Sequence, residues 1–569
     1  MVAGLSNLAM NAPEKYVESV TNLKRIGDEV ATYEGISVGL DDLEPEYEKR
    51  DPIIKKYFDQ IRKTKNVEEK NKLLLQAQDE LLAITKQHPG DMALMARSGG
   101  RGNMPQLMKT VTTPLVAQDW EENIIPWMIK RSYSEGLKPS ELWVTAGEAR
   151  KNTIQGVTSV VEPGALSKIV VHTMYDQVIS TDDCGTKNGL AMDVCDPAII
   201  DRYIAQPKNT LPRNTLITPQ MADQLCKQGG KVVVRSPMTC EAHDGICAKC
   251  YGLNTSGNQV KIGTNVGVRS AQAISEPLTQ AMLSSKHAAG ITKGEAKEPR
   301  GFHGAQMLMT IPETFANAAI LSDEEGVVTE IKPAPQGGHY INVNATQYYI
   351  PPDLEPLAKI GTRVEPGDRL STGIPKPNEI MKHKGLGVGR KYYVDALHKV
   401  YKNSIRDIDK RHFEVLAKAQ LSYATVDNDP TDQIIRGETI HFNTLKERLK
   451  DHTETLKLND ALGRVLADSY YEYMAGTKLT PNIVKELKEH SIDTVEVAIN
   501  PIEVSFLMKP VTHAPLLHQD WMARMAHQYL GKTLKDGAAF GWKTDVHSYH
   551  PIPAFVYGTE FGRGSKGTY

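Results

Sequence analysis

Cysteine is scarce in this chain, with six in 569 residues. That excludes the disulfide-dense scaffolds of small secreted domains and fits a reducing compartment. Long hydrophobic runs are missing too: no stretch reaches the ~18 apolar residues that a membrane-spanning helix needs. The opening Met1-Val2-Ala3-Gly4 lacks the basic end and apolar core of a secretory leader. The expectation is a soluble, cytoplasmic protein with no membrane partner. Charge of one sign is not in excess, since 67 Lys and Arg face 69 Asp and Glu for a net charge of -2. A polycation that coats nucleic acid along its whole length is thereby excluded. There is no internal repeat and no long low-complexity linker. What is present is apolar material, 40% of all residues, enough for substantial cores. The length corresponds to about four domains.

Four of the six cysteines fall into a pattern. Cys247 and Cys250 form a Cys-x2-Cys pair, Cys240 precedes them, and Cys184 lies earlier in Asp182-Asp183-Cys184-Gly185-Thr186. A Cys-x2-Cys pair closes a tight knuckle around one tetrahedral ion, and two further thiolates complete a closed structural zinc site with no position left for water. Cys195 and Cys226 have no partner at such spacing and read as small core residues. One region is locally basic: from Lys376 to Arg411 there are ten Lys or Arg against four Asp or Glu, interleaved with Tyr392, Tyr393, His398 and Tyr401. Such a surface suits phosphates, and equally a solvated helix face.

Apolar periodicity places two antiparallel helices over residues 50 to 87, with Asp51-Pro52 as N-cap and first-turn proline. Arg97 to Gln106 follows as a glycine-rich turn with two arginines. Residues 142 to 174 read as one long helix with a bend at Pro163-Gly164. Val232-Val233-Val234 suggests a strand leading into the cysteine knuckle. From 320 to 370, short alternating strands with turns at Gly326, Gly337-Gly338 and Pro366-Gly367 suggest a small β-sandwich or barrel. Helical pattern returns from Tyr392 to Leu421, and the last hundred residues are uninformative. The fold class expected is mixed α+β and multidomain.

Several of these segments together resemble a known family. Gly147-Glu148-Ala149-Arg150-Lys151 and Pro163-Gly164-Ala165-Leu166-Ser167-Lys168 resemble the bridge helix of the β′-type subunit of multisubunit RNA polymerases. Cys184, Cys240, Cys247 and Cys250 resemble that subunit's second zinc site. Val266-Gly267 and the run Ala271-Gln272-Ala273-Ile274-Ser275-Glu276-Pro277-Leu278-Thr279-Gln280, continuing to His287, resemble its trigger loop. Further matches are Gly39-Leu40-Asp41-Asp42-Leu43-Glu44-Pro45, Ser98 to Gln106, Ser134-Glu135-Gly136-Leu137, Gly367 to Gly373, and Ile408 to Val415, collinear from about residue 36 to about 445. The Asn-Ala-Asp-Phe-Asp-Gly-Asp motif that holds the family's active-site magnesium does not occur, nor does the first zinc site. The resemblance is therefore to the C-terminal portion of a split β′ subunit, of the kind that large bacteriophages encode. Only about 30 residues separate Gly290 from the β-rich module, which is unlike the long-insertion form of cyanobacteria and plastids.

The resemblance implies an N-terminal segment with a helical hairpin at the rim of the secondary channel (1–95), a channel loop region (96–141), the bridge helix (142–180), a zinc-binding region (181–260), the trigger loop with flanking helices (261–319), a β-rich jaw-like module (320–375), a basic region facing DNA (376–450) and a C-terminal clamp or assembly region (451–569). It implies a nucleotidyltransferase that acts only as part of a complex. His287, Leu283, Thr279 and Gln280 would serve catalysis. Arg101, Gln106, Arg150, Lys151, Lys168 and Lys286 would face nucleic acid or the nucleotide channel. Zn2+ would be structural, and Mg2+ would be held by a partner. The implied partners are an N-terminal β′-like chain, β-like chains, a promoter-specificity factor, DNA template, RNA product and nucleoside triphosphates. The chain departs from the bacterial pattern at Leu283, where methionine is usual, Ser284 for arginine, Lys286 for phenylalanine and Leu278 for glycine. Two other readings remain. A zinc-stapled, non-catalytic nucleic-acid-binding or scaffold protein derived from polymerase would keep the cysteines without the chemistry. A nuclease would need a magnesium cage from Asp427, Asp429 and Asp432, residues that read as a turn.

Overall fold

The computed structural model describes residues 2–544 apart from 65, 120–123, 126, 159, 209–210, 286–300, 316, 491 and 519. They fall into two compact units, the first built on Met1–Thr158 and the second on Ser159–Leu283 with the chain after residue 294.

The first unit is helical: α1 (Val2–Asn11), α2 (Pro13–Glu34), α3 (Tyr47–Lys63), α4 (Val67–Thr85), α5 (Asp91–Ser98), α6 (Met104–Leu107) running into a π turn at Met108–Thr112, and α7 (Pro139–Thr158). The expected hairpin is α3 packed on α4, around Ile54, Tyr57, Leu74, Ala77 and Leu81. Glu80 accepts from Tyr57 Oη at 2.7 Å and from Lys56 Nζ at 2.9 Å, locking the two helices side by side. The expected start was wrong. α3 begins at Tyr47, so Pro52 lies inside it and Asp51 is no cap. Asp51 instead pairs with the buried Arg50, whose guanidinium also donates to Glu135 and, at 3.1 Å, to the Thr112 carbonyl. These partners repay the desolvation of a cation inside a small helical core.

The single long helix expected over 142–174 is two helices. α7 ends at Thr158, and α8 (Val161–Met174) opens the second unit. Pro163 is buried in the first turn of α8, where a backbone N–H has no helical acceptor to lose. The break therefore comes before the proline and not at it. By residue 179 the chain is already a strand.

In the second unit, β1 (Ile179–Thr181), β2 (Leu190–Asp193), α9 (Pro219–Gln228), β3 (Lys231–Val234), β4 (Ile246–Cys247) and α10 (Ala248–Tyr251) form the cysteine region. β2 and β3 pair antiparallel, and β3 is the strand expected to lead into the knuckle. The pairing Asp193↔Lys231 brings the chain after β2 beside the end of α9. There Cys195 and Cys226 form a disulfide with Cα atoms 4.6 Å apart. Both are exposed, so the reading of two unpartnered core cysteines is corrected on both counts. Sequence spacing gave no hint because the bridge depends on strand pairing.

α11 (Val266–Ser285) and α12 (Gly301–Thr310) follow, then β5 (Gly326–Pro333), β6 (His339–Val343), β7 (Thr346–Ile350) and β8 (Arg363–Val364). These four strands make one antiparallel sheet in the order β7-β6-β5-β8, bulged between Val328 and Glu330. Its core is Val328, Ile341, Val343, Tyr348, Ile350, Leu354, Val364 and Leu370. The module is half of a barrel, the second of the two forms expected for this stretch.

α13 (Pro377–Lys384), α14 (Leu386–Ser404) and α15 (Lys410–Gln420) are the returning helices. Beyond them β9 (Tyr423–Asn428), β10 (Thr439–His441) and β13 (Glu503–Leu507) make one sheet, with α16 (Phe442–Lys450) following β10. β11 (Thr453–Lys457) pairs with β12 (Thr494–Ala498) over α17 (Pro481–Glu489), and α18 (Trp521–His527) and α19 (Leu530–Phe540) close the described chain. One large core, from Leu166 to Val511, runs through the cysteine region and α11 to α15. No helix among the described residues is long and apolar enough to cross a membrane.

Candidate metal centre

The four cysteines expected to act together do come together. β1 and β4 pair in parallel, Thr181 opposite Cys247, which sets the chain carrying Cys184 against the knuckle. Cys247 caps α10, its sulfur accepting from Cys250 N at 3.3 Å, and Cys240 Sγ accepts from Cys247 N at 3.3 Å. Backbone donors aimed at sulfur favour thiolate over thiol. All four sulfurs lie within 4.8 Å of one another. Cys184 Sγ is 3.8 Å from the sulfurs of both Cys250 and Cys240. Cys240, Cys247 and Cys250 are buried and Cys184 is half-buried.

The sequence reading missed Arg235. Its side chain is fully buried, and its guanidinium donates to the sulfurs of Cys184 at 3.3 Å, Cys250 at 3.4 Å and Cys247 at 3.5 Å. The same group donates to Asp183 Oδ1 at 2.6 Å and Asn214 Oδ1 at 2.9 Å. Burial disfavours the Arg235 charge, but its contacts with Cys250 and Asp183 outweigh that and hold the group cationic. Burial alone would raise the Cys240 thiol, yet its contact with Cys184 holds it down at about 6, while burial pushes Cys250 well up. A lone arginine at the end of an apolar strand, five residues before a cysteine, was the only available signal.

α15 clamps this region from behind. Arg202 and Glu414, both with no solvent exposure, form a two-pronged pair at 2.7 and 2.6 Å, and Ser236 Oγ donates to the same carboxylate at 2.6 Å. Lys418 Nζ donates to the Gly245 carbonyl at 2.7 Å. Arg411, held by Asp409, donates to the carbonyls of Tyr251 and Leu253 at 3.2 and 2.7 Å. The cluster is thus an all-sulfur tetrad with a cation on one face and a rigid support. Four sulfurs at such separations fit one tetrahedral ion, and this donor set suits zinc or iron.

The other expected site residues are divided between the two units and the undescribed segment. Thr279 and Gln280 lie on α11 in the second unit, with Thr279 Oγ1 donating to the Ser275 carbonyl at 3.2 Å and Gln280 Nε2 to Glu276 at 3.0 Å. The backbone of Leu283 is in the last turn of α11. Its side chain, and all of Lys286 and His287, lie outside the described residues. Arg101, Gln106, Arg150 and Lys151 belong to the first unit, where all but the half-buried Lys151 are exposed. Lys168 is exposed on α8 in the second.

The basic stretch from 376 to 411 is largely neutralised within the fold. Lys384 pairs with Asp368, Lys391 with Glu472 and Lys410 with Asp395. Arg390 is buried and donates to the carbonyls of Leu421 and Met238, and burial lowers its pKa to about 9. Much of this cationic surface is therefore structural. Asp429 accepts from the backbone N–H groups of Thr431, Gln433 and Ile434, so Asp429 to Asp432 forms the expected turn, while Asp427 ends up in strand β9.

Comparison with known proteins gives the same direction as the motifs. Residues 136–336 match the family model "RNA polymerase Rpb1, domain 5". The chain is similar to the DNA-directed RNA polymerase subunit β′ of Acholeplasma laidlawii, 28% identical over 471 residues that cover 75% of this chain and 34% of that protein. It is similar to the β′ subunit of Acetivibrio thermocellus, 30% identical over 371 residues covering 60% of this chain and 31% of the relative. The β′ subunit of Streptomyces avermitilis is 26% identical over 507 residues, 80% of this chain and 38% of the relative. The similarity to β′ subunits covers between 60% and 80% of this chain, and the chain spans about a third of the length of the curated relatives it matches.

Proposed function

We propose that this chain is the C-terminal part of a β′-like subunit of a DNA-directed RNA polymerase, made separately from the N-terminal part and of the bacteriophage-encoded type. One observation carries the reading: the β′ similarity runs through the cysteine region, and the four matching cysteines fold into one tetrad. Zn2+ fits that tetrad and, when bound, staples the strands of the region to one another. Catalytic Mg2+ belongs to three aspartates of a partner chain. Among the described residues no carboxylate group of three gathers to replace them.

In this reading α7 and α8 are the two halves of the bridge helix. Arg150, Lys151 and Lys168 meet nucleic acid or the trigger element, and Arg101 and Gln106 lie by the nucleotide channel. α11 is the base of the trigger loop. Pro277 leaves the Ala273 carbonyl without its helical donor, which makes a joint two residues before Thr279. If the segment beyond the joint closes as a helix, Leu283 and His287, four residues apart, share a face, with Leu283 over the incoming base and His287 toward the triphosphate. Its imidazolium stabilises charge developing on pyrophosphate or donates a proton. Lys286 adds positive charge where Ser284 replaces an arginine. Nucleotidyl transfer is mainly positioning and charge neutralisation, so such a closing element raises the rate without touching the metal.

The test is His287→Ala in the assembled enzyme. Nucleotide addition is expected to slow by about 10²-fold or more with assembly and zinc content unchanged. An unaltered elongation rate would favour the zinc-stapled scaffold reading instead.

A further inference from the structure

Eight large apolar side chains between residues 17 and 40 are exposed: Val17, Leu23, Ile26, Val30, Tyr33, Ile36, Val38 and Leu40. Single exposed apolar residues need no explanation, but a run of this kind does. On α2, Tyr16, Val20, Leu23, Gly27 and Val30 repeat at alternating steps of four and three, the seam of a helix that packs lengthwise on another. Val17, Ile26 and Tyr33 widen that seam into a broad face. The opposite side carries Glu18, Thr21, Asn22, Arg25, Asp28 and Glu29.

Gly35, at φ 63°, then turns the chain into an extended segment. Its backbone is pinned on alternate residues: Ser37 N donates to Asp91 Oδ2 at 3.2 Å and Gly39 N to Asp42 Oδ2 at 2.8 Å. Ile36, Val38 and Leu40, the residues between, are left exposed with period two. A period of 3.5 passes directly into a period of 2, and both leave their apolar side bare. α1 packs against α2, but the eight side chains stay exposed.

The charge pattern selects the kind of partner. α2 carries Glu14, Glu18, Asp28, Glu29 and Glu34 against Lys15, Lys24 and Arg25, and the one charge on the seam itself is Glu34, four residues after Val30 at the end of the helix. An acidic helix repels phosphate, and it lacks the Lys- and Arg-rich polar face of helices that lie on membranes. The occupant has to be an apolar protein surface, helical where it meets α2.

We infer that this helix-and-strand surface is the dock for the polypeptide that carries the preceding part of the β′-like subunit. The inference rests on the split proposed above. In a relative of full length, the residues before the matching part are tethered by the peptide chain, which sets a high effective concentration. Two separate chains need buried area in its place, and residues 16–40 supply an uncovered apolar strip ahead of the matched region at 136–336.

The test uses the full-length chain and the polypeptide of the same genome that contains the Asn-Ala-Asp-Phe-Asp-Gly-Asp motif. Amide exchange is followed across residues 13–40 in the chain alone and in the complex, and binding is compared for wild type and Leu23→Asp/Val30→Asp. The expected result is fast exchange alone, protection in the complex, and affinity at least about tenfold weaker in the variant. Because the substituted residues are exposed, the variant's other exchange rates and its metal content stay at wild-type values. If the two chains bind but residues 13–40 stay unprotected and the variant binds as wild type, the dock is wrong while the split stands. If wild type and variant alike fail to bind the motif-bearing chain, the split reading fails and the dock with it. Protection of residues 13–40 in the chain alone, together with dimer formation, would assign the surface to a second copy and overturn the inference.

Discussion

Glu414→Ala is the substitution with the most calculable effect. It removes the carboxylate that receives both prongs of the Arg202 guanidinium, at 2.7 and 2.6 Å, in a site with no solvent exposure on either side. What remains within hydrogen-bond reach of Arg202 is one neutral acceptor, the Ala198 carbonyl at 2.7 Å, with the Asp409 carboxylate acting on it through space. Removing one partner of a buried pair costs about 3–5 kcal/mol, because the surviving charge is stranded. Ser236, which donates to the same carboxylate at 2.6 Å, loses its acceptor and adds about 1 kcal/mol. The loss falls on the residue next to Arg235, so the damage reaches the cysteine tetrad. Urea unfolding followed by circular dichroism gives the stability change, and competition with a colorimetric chelator gives metal retention. Both are expected to fall in Glu414→Ala. The double variant Arg202→Met/Glu414→Leu is expected to recover most of the stability, since an apolar pair of similar volume removes the stranded charge. A loss below about 1 kcal/mol with unchanged metal retention would refute the account of α15 as the support of the tetrad.

Cys247→Ser is expected to remove bound metal and unfold the cysteine region, because the binding energy of a structural ion is folding energy. Elemental analysis before and after chelation checks it, and a wild-type chain purified without stoichiometric zinc would dispose of the zinc assignment. Gly267→Ala would place a Cβ 1.8 Å from the Met174 carbonyl, where α11 begins against the end of α8. A loss of about 3 kcal/mol is expected, read as a lowered unfolding midpoint. Burial holds His172 and His441 neutral, with pKa lowered to about 4. Between pH 6.5 and 4 the unfolded chain takes up protons that the folded chain refuses, so these two groups lower stability as pH falls through that window and add nothing above it. His518, raised by Asp176 against the effect of its burial, acts the other way, while His383, His412 and His527, lowered by burial, act in the same direction as the first two. Unfolding midpoints at pH 7, 5.5 and 4.5 are expected to decline in that order, and a midpoint that rises on acidification would contradict this.

Local pattern made the hairpin, the knuckle and the β-rich module legible, because each is built from residues close in sequence. The α3–α4 stripe needs only the helical period, and Cys-x2-Cys needs only the reach of one tetrahedral ion. Contacts made across long separations were not legible. Arg235 lies on the tetrad because β3 delivers it there, Arg202 meets Glu414 across 212 positions, and Cys195 meets Cys226 through the pairing of β2 with β3. The basic stretch misled for the same reason. Its charge was visible, whereas two of the carboxylates that neutralise it, Asp368 and Glu472, come from outside the stretch. The bridge-like helix broke ahead of Pro163, since a proline in a first turn starts a helix as readily as one further in bends it.

The central claim is that this polypeptide contributes moving parts and a metal-stapled support to an active centre whose magnesium ligands lie on another chain. It is tested most directly by measuring RNA synthesis from the same template, once with this chain alone and once after assembly with the motif-bearing chain and the β-like chains. The account predicts no RNA from the chain alone and RNA from the assembly. Polymerisation of nucleotides by the chain alone would contradict it.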